Sequence, residues 1–447
     1  MNITDRFISG IQSCFAQSLP RHVVEKGRIS LLDYLACAIG GAKGLRDSAM
    51  QNFIKDANGL GNSHVVGCAG NYSMTTAALL NGFFSHYLEL DDGYRKGAIH
   101  IGSPVISALM VVAEKENIRG DDFMRGLIGG YEATARLSSA VQPGCRERGY
   151  HATGVCGTSG AAIGVAIALR FTKEQMKSTI SAAITSAAGV LEMQEDASEL
   201  KPYNAGRAAM DAVMAVYFAK AGFLGPNDPI GGRRGFLSIM TDTPKYDFLT
   251  VFNSGVFLIE QSYLKLYAAC RHAHPAIEAV LTLRDRVAIE DINSIRVLTY
   301  KQALEGHSHK ELPSVSSAKM SIPFGVAVAL VTGNAGMEAY SEGTIRNEEV
   351  LDLMQLVSVE ENDDLTALNP QKRAAIVEID TLRGSFIQRV DYPKGEPESP
   401  LTRNDVEHKF RHLALFAGFR EDECRIVIDE IWSDNIVVDR LLSVLSH

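Results

Sequence analysis

Gly160-Ala161-Ala162-Ile163-Gly164-Val165-Ala166 carries almost no side chain on any face. A helix built from it has no polar stripe to turn toward water, so it must be packed on all sides, with neighbouring backbones close. Ser181-Ala182-Ala183-Ile184-Thr185-Ser186-Ala187-Ala188 has the same texture. Both read as helices at the centre of a bundle. Membrane packing uses small residues too, but the most apolar stretches, 105–113 and 161–169, are roughly half the ~20 residues a spanning helix needs. Outward from this centre, Phe7, Ile8, Ile11 and Phe15, then Leu31, Leu32 and Leu35, recur at helical spacing. The pattern predicts helix nearly throughout from Met1 to about Ala221, opened by a capped start at Asn2-Ile3-Thr4-Asp5.

Beyond Gln261 the texture changes. Ile295-Arg296-Val297-Leu298-Thr299-Tyr300 alternates, and Ala375-Ile376-Val377-Glu378-Ile379-Asp380 meets Ser385-Phe386-Ile387-Gln388-Arg389-Val390 across Arg383-Gly384 as a hairpin. Helical stretches at 322–331 and 347–356 lie between. The expected fold is mainly α: a helical domain over 1–260, completed by 399–447, with a smaller α+β domain inserted at 261–398. In the tail, Asn404 is the expected N-cap of a helix over 406–416, and one last helix is expected to carry Ile431, Val437, Leu441, Leu442 and Leu445.

The chain has 447 residues, 46% apolar and 22% charged, with net charge −9. That balance excludes general disorder, and without a Lys/Arg run it gives no footprint for nucleic acid. Seven cysteines with no CxxC pair read as reduced thiols, and the N-terminus lacks an export signal, so a cytoplasmic protein is expected.

Four segments concentrate ionisable residues and glycine. His86-Tyr87-Leu88-Glu89-Leu90-Asp91-Asp92-Gly93 reads as a helix stopping at Gly93, which leaves Asp91 and Asp92 where the terminal dipole disfavours negative charge. His100 follows, and a carboxylate cluster beside an imidazole suggests an oriented acid or base. Gly149-Tyr150-His151-Ala152 opens the Gly/Ala helix, and an imidazole at a helix N-terminus is held neutral and can serve as a base or simply as a cap. Lys201 and Arg207 are the first cations after a long uncharged stretch, suited to a substrate carboxylate or to the surface. Lys265-Leu266-Tyr267-Ala268-Ala269-Cys270-Arg271-His272-Ala273-His274 sits at the junction between textures, where pockets are common. His272-x-His274 and His307-x-His309 lack the helix spacing of a zinc hydrolase, and no metal site is expected. Cys270 has no base evident in sequence and reads as an inert thiol.

Taken in order, 86–104, 149–154, 201–207 and Lys265-x-Tyr267-x-x-Cys270-Arg271-x-x-His274 resemble the MmgE/PrpD family of 2-methylcitrate dehydratases, cis-aconitate decarboxylases and iminodisuccinate epimerases. The resemblance spans most of the chain. It implies a large helical domain, an inserted lid, a site between them, and no metal or organic cofactor. It would make His100 and His151 the pocket imidazoles, Lys201 and Lys265 its carboxylate-binding cations, and Asp91 and Asp92 the paired aspartates of the first motif. Glu89, Tyr150, Arg207, Cys270, Arg271 and His274 would line the substrate. Glu89 and Gly93 depart from the aspartate and threonine of many members, and Cys270 stands where animal decarboxylases carry histidine, which disfavours decarboxylation. The implied enzyme is a cofactor-free homodimeric lyase or isomerase taking a small di- or tricarboxylate. Dehydration is placed first, then epimerisation, then decarboxylation, then a non-catalytic helical scaffold.

Overall fold

The computed structural model describes residues 1–45, 50–194, 198–253 and 255–446. Helices α1 (Ile3–Cys14) and α2 (Arg21–Gly44) are followed by a small antiparallel pair, β1 (Ser63–Val65) and β2 (Cys68–Tyr72). The longer helices that come next are α3 (Met74–Tyr87), α4 (Gly102–Glu116), α5 (Gly120–Val141), α6 (Ala152–Ala168), α7 (Lys173–Ser186) and α8 (Lys201–Lys220). The chain then forms α9 (His274–Leu283), β3 (Ile292–Thr299), α10 (Ile322–Thr332), α11 (Glu348–Gln355), β4 (Val357–Glu361), β5 (Ala375–Thr381) and β6 (Gly384–Val390). It ends in α12 (Arg403–Ala417), α13 (Glu421–Trp432) and α14 (Val438–Leu445). Two compact units result. One comprises Met1–Glu195, Leu200–Ser262 and Thr402–His447, the other Asp196–Glu199 and Tyr263–Leu401. The fold is mainly α, as the texture of the sequence predicts.

In the first unit, the glycine and alanine helix α6 is the hub, packed on α4, α5, α7 and α8. Nearly every one of its residues is buried. The reason is backbone proximity: a Cβ at Gly164 would stand 2.7 Å from the Gly126 carbonyl oxygen and 2.8 Å from Gly130 Cα, both on α5. A side chain there would push the two helices apart. The N-terminal cap forms as expected, Asn2 Oδ1 accepting from Asp5 N at 2.8 Å. Further along the chain, α12 packs on α2.

The second unit holds a four-stranded sheet ordered β4-β3-β5-β6, with β3 and β4 parallel and the other pairs antiparallel. In β5, Ala375, Val377, Ile379 and Thr381 are buried, and α9 covers β5 and β6. The hairpin register Thr381↔Gly384 puts Gly384 at φ 127°, a conformation that only glycine adopts without strain.

Three local expectations fail. The helix α3 ends at Tyr87, not Gly93. Thr402, not Asn404, caps α12, because Thr402 Oγ1 accepts from Asp405 N while Asp405 Oδ2 accepts from Thr402 N, a reciprocal pair that Asn404 cannot make from inside the first turn. The apolar residues of the tail divide between α13 and α14. Among the described residues no single helix is long and apolar enough to cross a membrane.

Candidate active site

In the first unit the site grows from the end of α3. His86 is its penultimate residue and is fully buried. The chain then turns through Glu89, whose φ of 57° lies in the left-handed region, a strain that non-glycine residues hold only where surroundings enforce it. Here the surroundings include an ion pair, Lys201 Nζ to Glu89 Oε1 at 2.5 Å. The turn delivers Asp91 and Asp92 inward, 2% and 4% exposed, instead of onto a solvated cap.

Asp91 is the centre of a network. Its Oδ2 accepts from His86 Nδ1 at 2.7 Å and from Ser103 Oγ at 3.0 Å, and lies 3.3 Å from His100 Nδ1. Burial alone would raise its pKa, but His86 and His100 hold it well below the usual carboxylate range. Asp92 is in the opposite state. Its Oδ1 accepts from Gly102 N at 2.8 Å, yet burial and the neighbouring Asp91 carboxylate push its pKa up to about 7. Gly102 must be glycine for this approach, since a Cβ would meet Tyr131 Oη at 2.6 Å and Asp92 Oδ1 at 3.0 Å.

His100 Nδ1 lies 2.7 Å from the Asp92 backbone carbonyl. A carbonyl can only accept, so Nδ1 carries the proton and the lone pair of the neutral ring is on Nε2. His151, the N-cap residue of α6, has the other tautomer: Asn204 Nδ2 lies 3.2 Å from its Nδ1 and donates to it, leaving the proton on Nε2. Burial first, then the charges of Lys201, His86 and His100, hold the pKa of His151 well below its ordinary value, so the ring is neutral. One loop, one helix start and the first turn of α8 thus bring His100, His151 and Lys201 into electrostatic reach of one another. Donor atoms of His86, Asp91 and His100 also fall within 4.8 Å, a spacing a metal could use, but both Nδ1 protons point at oxygen and fill that role with hydrogen bonds.

Arg207 is turned elsewhere. Its guanidinium donates to the backbone carbonyls of Gly154, Ser186 and Ala188 and to Asp211, pinning the end of α7 to the start of α6. Tyr150 forms a bridge to Val190 and is half-buried.

The second unit gathers the remaining candidates around α9. Lys265 is buried, 1% exposed. Buried Arg271 donates from Nε to the buried carboxylate of Glu396, while its Nη1 and Nη2 have no hydrogen-bond partner among the described residues. His274 donates from Nε2 to the Ala269 carbonyl, and burial together with Arg271 and Lys265 drives its pKa well below the usual value. Cys270 is half-buried and sits with His272 and His307.

His86, Ser103 and Asn204 stand inside the segments singled out in the sequence, but only the fold gives them partners. Tyr131 and Glu396 had no sequence signal, being an isolated tyrosine in a helix and one acid in a charged turn.

Two imidazoles held through Nδ1, one donating to a carbonyl and one accepting from an amide, lie beside a buried carboxylate pair in a mainly helical unit, an arrangement suited to acid–base chemistry. Residues 6–249 match the MmgE/PrpD N-terminal domain and residues 267–434 the MmgE/PrpD C-terminal domain. The chain belongs to the MmgE/PrpD family and is a lyase or isomerase of that type. It is 25% identical to a cis-aconitate decarboxylase-like protein of Aspergillus oryzae, over 92% of this chain and 90% of that one. It is 26% identical to a cis-aconitate decarboxylase of Aspergillus terreus, over 99% and 94%. A probable 2-methylcitrate dehydratase of Saccharomyces cerevisiae is 24% identical over 55% of this chain and 52% of its own.

Proposed function

We propose that this enzyme removes a proton next to a carboxylate of a small di- or tricarboxylate and expels the β-hydroxyl as water, without a metal or organic cofactor. The observation that carries the reading is the His100 tautomer, Nδ1–H on the Asp92 carbonyl and beside the Asp91 carboxylate, which presents Nε2 as a base. The base takes the proton, the C–H electrons move toward the carboxylate, and Asp91 stabilises the imidazolium that results. Neutral His151 donates a hydrogen bond from Nε2 to the developing enediolate oxygen, and Lys201 supplies positive charge to the same group. The imidazolium of His100 then returns its proton to the departing hydroxyl as the C=C bond forms, so that water leaves and the base is restored. Lys265 and the fork of Arg271, both buried in the second unit, are assigned to carboxylate binding, a planar guanidinium matching a carboxylate with two parallel hydrogen bonds.

Decarboxylation is the second reading, favoured by relatives that match along nearly the whole chain and are named cis-aconitate decarboxylases. It needs a proton donor at carbon but no C–H base. Epimerisation, with the proton returned to the opposite face, is a variant of the first reading. A polycarboxylate panel followed by proton NMR in deuterated water separates them. Dehydration gives an alkene without carbon dioxide, decarboxylation releases carbon dioxide, and epimerisation exchanges the proton without losing any other atom. No turnover and no exchange with any member would leave the scaffold reading.

A homodimer is part of the proposal. Because α6 is enclosed within its own unit, the exposed Leu200, Tyr203, Met214 and Phe218 along α8, followed by Phe223 and Leu224, are the surface a second copy would cover. A monomeric mass at micromolar concentration would refute it. Cytoplasmic residence is proposed from the seven free cysteines.

A further inference from the structure

In the second unit, Cys270, His272 and His307 each place one ligand atom within 4.8 Å of the others, and all three are half-buried. We propose that this trio binds a zinc-class divalent cation through Cys270 Sγ and the Nε2 atoms of both imidazoles, leaving a fourth position for water or an anion. The donor set is the argument's first support: one thiolate and two imidazoles form a set that selects zinc and its close neighbours over magnesium or calcium. A tetrahedral zinc ion holds such atoms roughly 3.3–3.6 Å apart, so the side chains need to close by about an ångström.

The second support is the way the rings are held. His307 Nδ1 lies 2.6 Å from the Glu305 carbonyl, which can only accept, so its Nε2 bears the lone pair a metal takes. His272 Nδ1 lies 2.5 Å from the Tyr300 hydroxyl, which can accept from it in the same manner. The two ring centroids are 4.8 Å apart. The main chain also fixes the carriers: Cys270 N donates to the Lys319 carbonyl at 2.8 Å, and Ile322 N donates to the His307 carbonyl at 2.8 Å. Lys319 lies in the short helix Val315–Met320 and Ile322 opens α10, so two adjacent helices hold the two ligand-bearing segments. The contrast with His86, Asp91 and His100 is chemical, since that trio offers an acidic hydrogen-bond acceptor between two N–H donors, whereas this one offers a thiol.

The trio takes one histidine from each HxH pair, which gives the test an internal control. The full-length protein, dialysed against a chelator, is titrated with Co²⁺. One equivalent per chain should produce visible d–d bands and a near-ultraviolet thiolate-to-cobalt absorption, both displaced by Zn²⁺. Cys270→Ser should abolish the thiolate band, His307→Gln should weaken binding at least tenfold, and His309→Gln should leave both unchanged. Should the variants fail to fold, bound Zn²⁺ must still protect Cys270 of the wild type from alkylation, read on its peptide by mass spectrometry. Absence of the bands at millimolar Co²⁺, a thiolate band that survives Cys270→Ser, or alkylation of Cys270 indifferent to zinc would each overturn the proposal. None of these readouts depends on turnover, so the site stands or falls apart from the acid–base reading.

Discussion

The two units hold their charges in opposite ways. Around Asp91 in the first unit, one carboxylate oxygen accepts from His86 and Ser103 and lies beside His100, and the adjacent carboxyl of Asp92 is driven toward neutrality. Around Arg271 in the second unit, a buried guanidinium is anchored by the carboxylate of Glu396 and has two nitrogens without a hydrogen-bond partner among the described residues. A network of the first kind sets protonation states and suits proton transfer. A cation of the second kind carries donor capacity that its neighbours leave unused. Unpaired buried donors cost about 1–3 kcal/mol each, a cost that a bound carboxylate would relieve.

The sharpest break with this contrast would come at His100. His100→Gln should lower kcat by about 10²–10⁴-fold with little change in KM, and should abolish deuterium incorporation next to the carboxylate. Exchange that persists would move the base elsewhere. For Arg271→Gln the expected loss is stability of about 3–5 kcal/mol in urea melts, because Glu396 would be left buried without its partner. A loss below 1 kcal/mol would mean that Glu396 finds another partner. Lys201→Ala and Lys265→Ala should each reduce kcat/KM by roughly 10–100-fold, with Lys-to-Arg only partly restoring it. If only one lysine matters, the carboxylate assignment holds for that unit alone.

The pH dependence of stability follows from Asp92. Its pKa when folded, about 7, lies above the unfolded value, so the native state binds more protons between pH 4 and 7. Stability from this group is therefore greatest below pH 4 and falls as pH rises through 7. Asp92→Asn should raise the melting temperature at pH 8 more than at pH 4, and equal shifts would contradict the burial account. His151 works in the opposite direction: neutral when folded, it favours unfolding as pH drops below its ordinary value. The smallest effect is expected at Arg207. Arg207→Lys cannot reach three carbonyls and should cost about 1–3 kcal/mol with KM unchanged. A shift in KM without loss of stability would return Arg207 to the substrate.

Much of the fold was legible because it rests on local texture. Side-chain poverty at 160–166 marks the hub helix, and alternation on either side of Arg383-Gly384 marks the β5–β6 hairpin. The candidate residues of the proposed site stand out in the sequence, since His100, His151, Lys201 and Arg271 are scarce ionisable groups among small residues. Their division of labour does not. Lys201 and Arg207 are six residues apart and look alike in sequence, yet one pairs with Glu89 and the other with backbone carbonyls. Which carbonyls are exposed depends on where α6 and α7 end in space. The tautomers of His100 and His151 likewise depend on partners, Asp92 O and Asn204, that only the folded chain supplies.

The first unit is assembled from distant parts of the chain, and this sets a timetable. Lys409, on α12, donates to Asp33 Oδ1 and to the Leu90 carbonyl, both at 2.7 Å, bracing the loop that carries Asp91 and Asp92. Lys409 lies 319 residues beyond Leu90. At ribosomal rates of about 5–20 residues per second, the loop waits on the order of 16–64 s for its brace. The loop that carries Asp91 and Asp92 therefore leaves the ribosome well before Lys409 exists to brace it, and this contact forms only after the whole second unit has been synthesised.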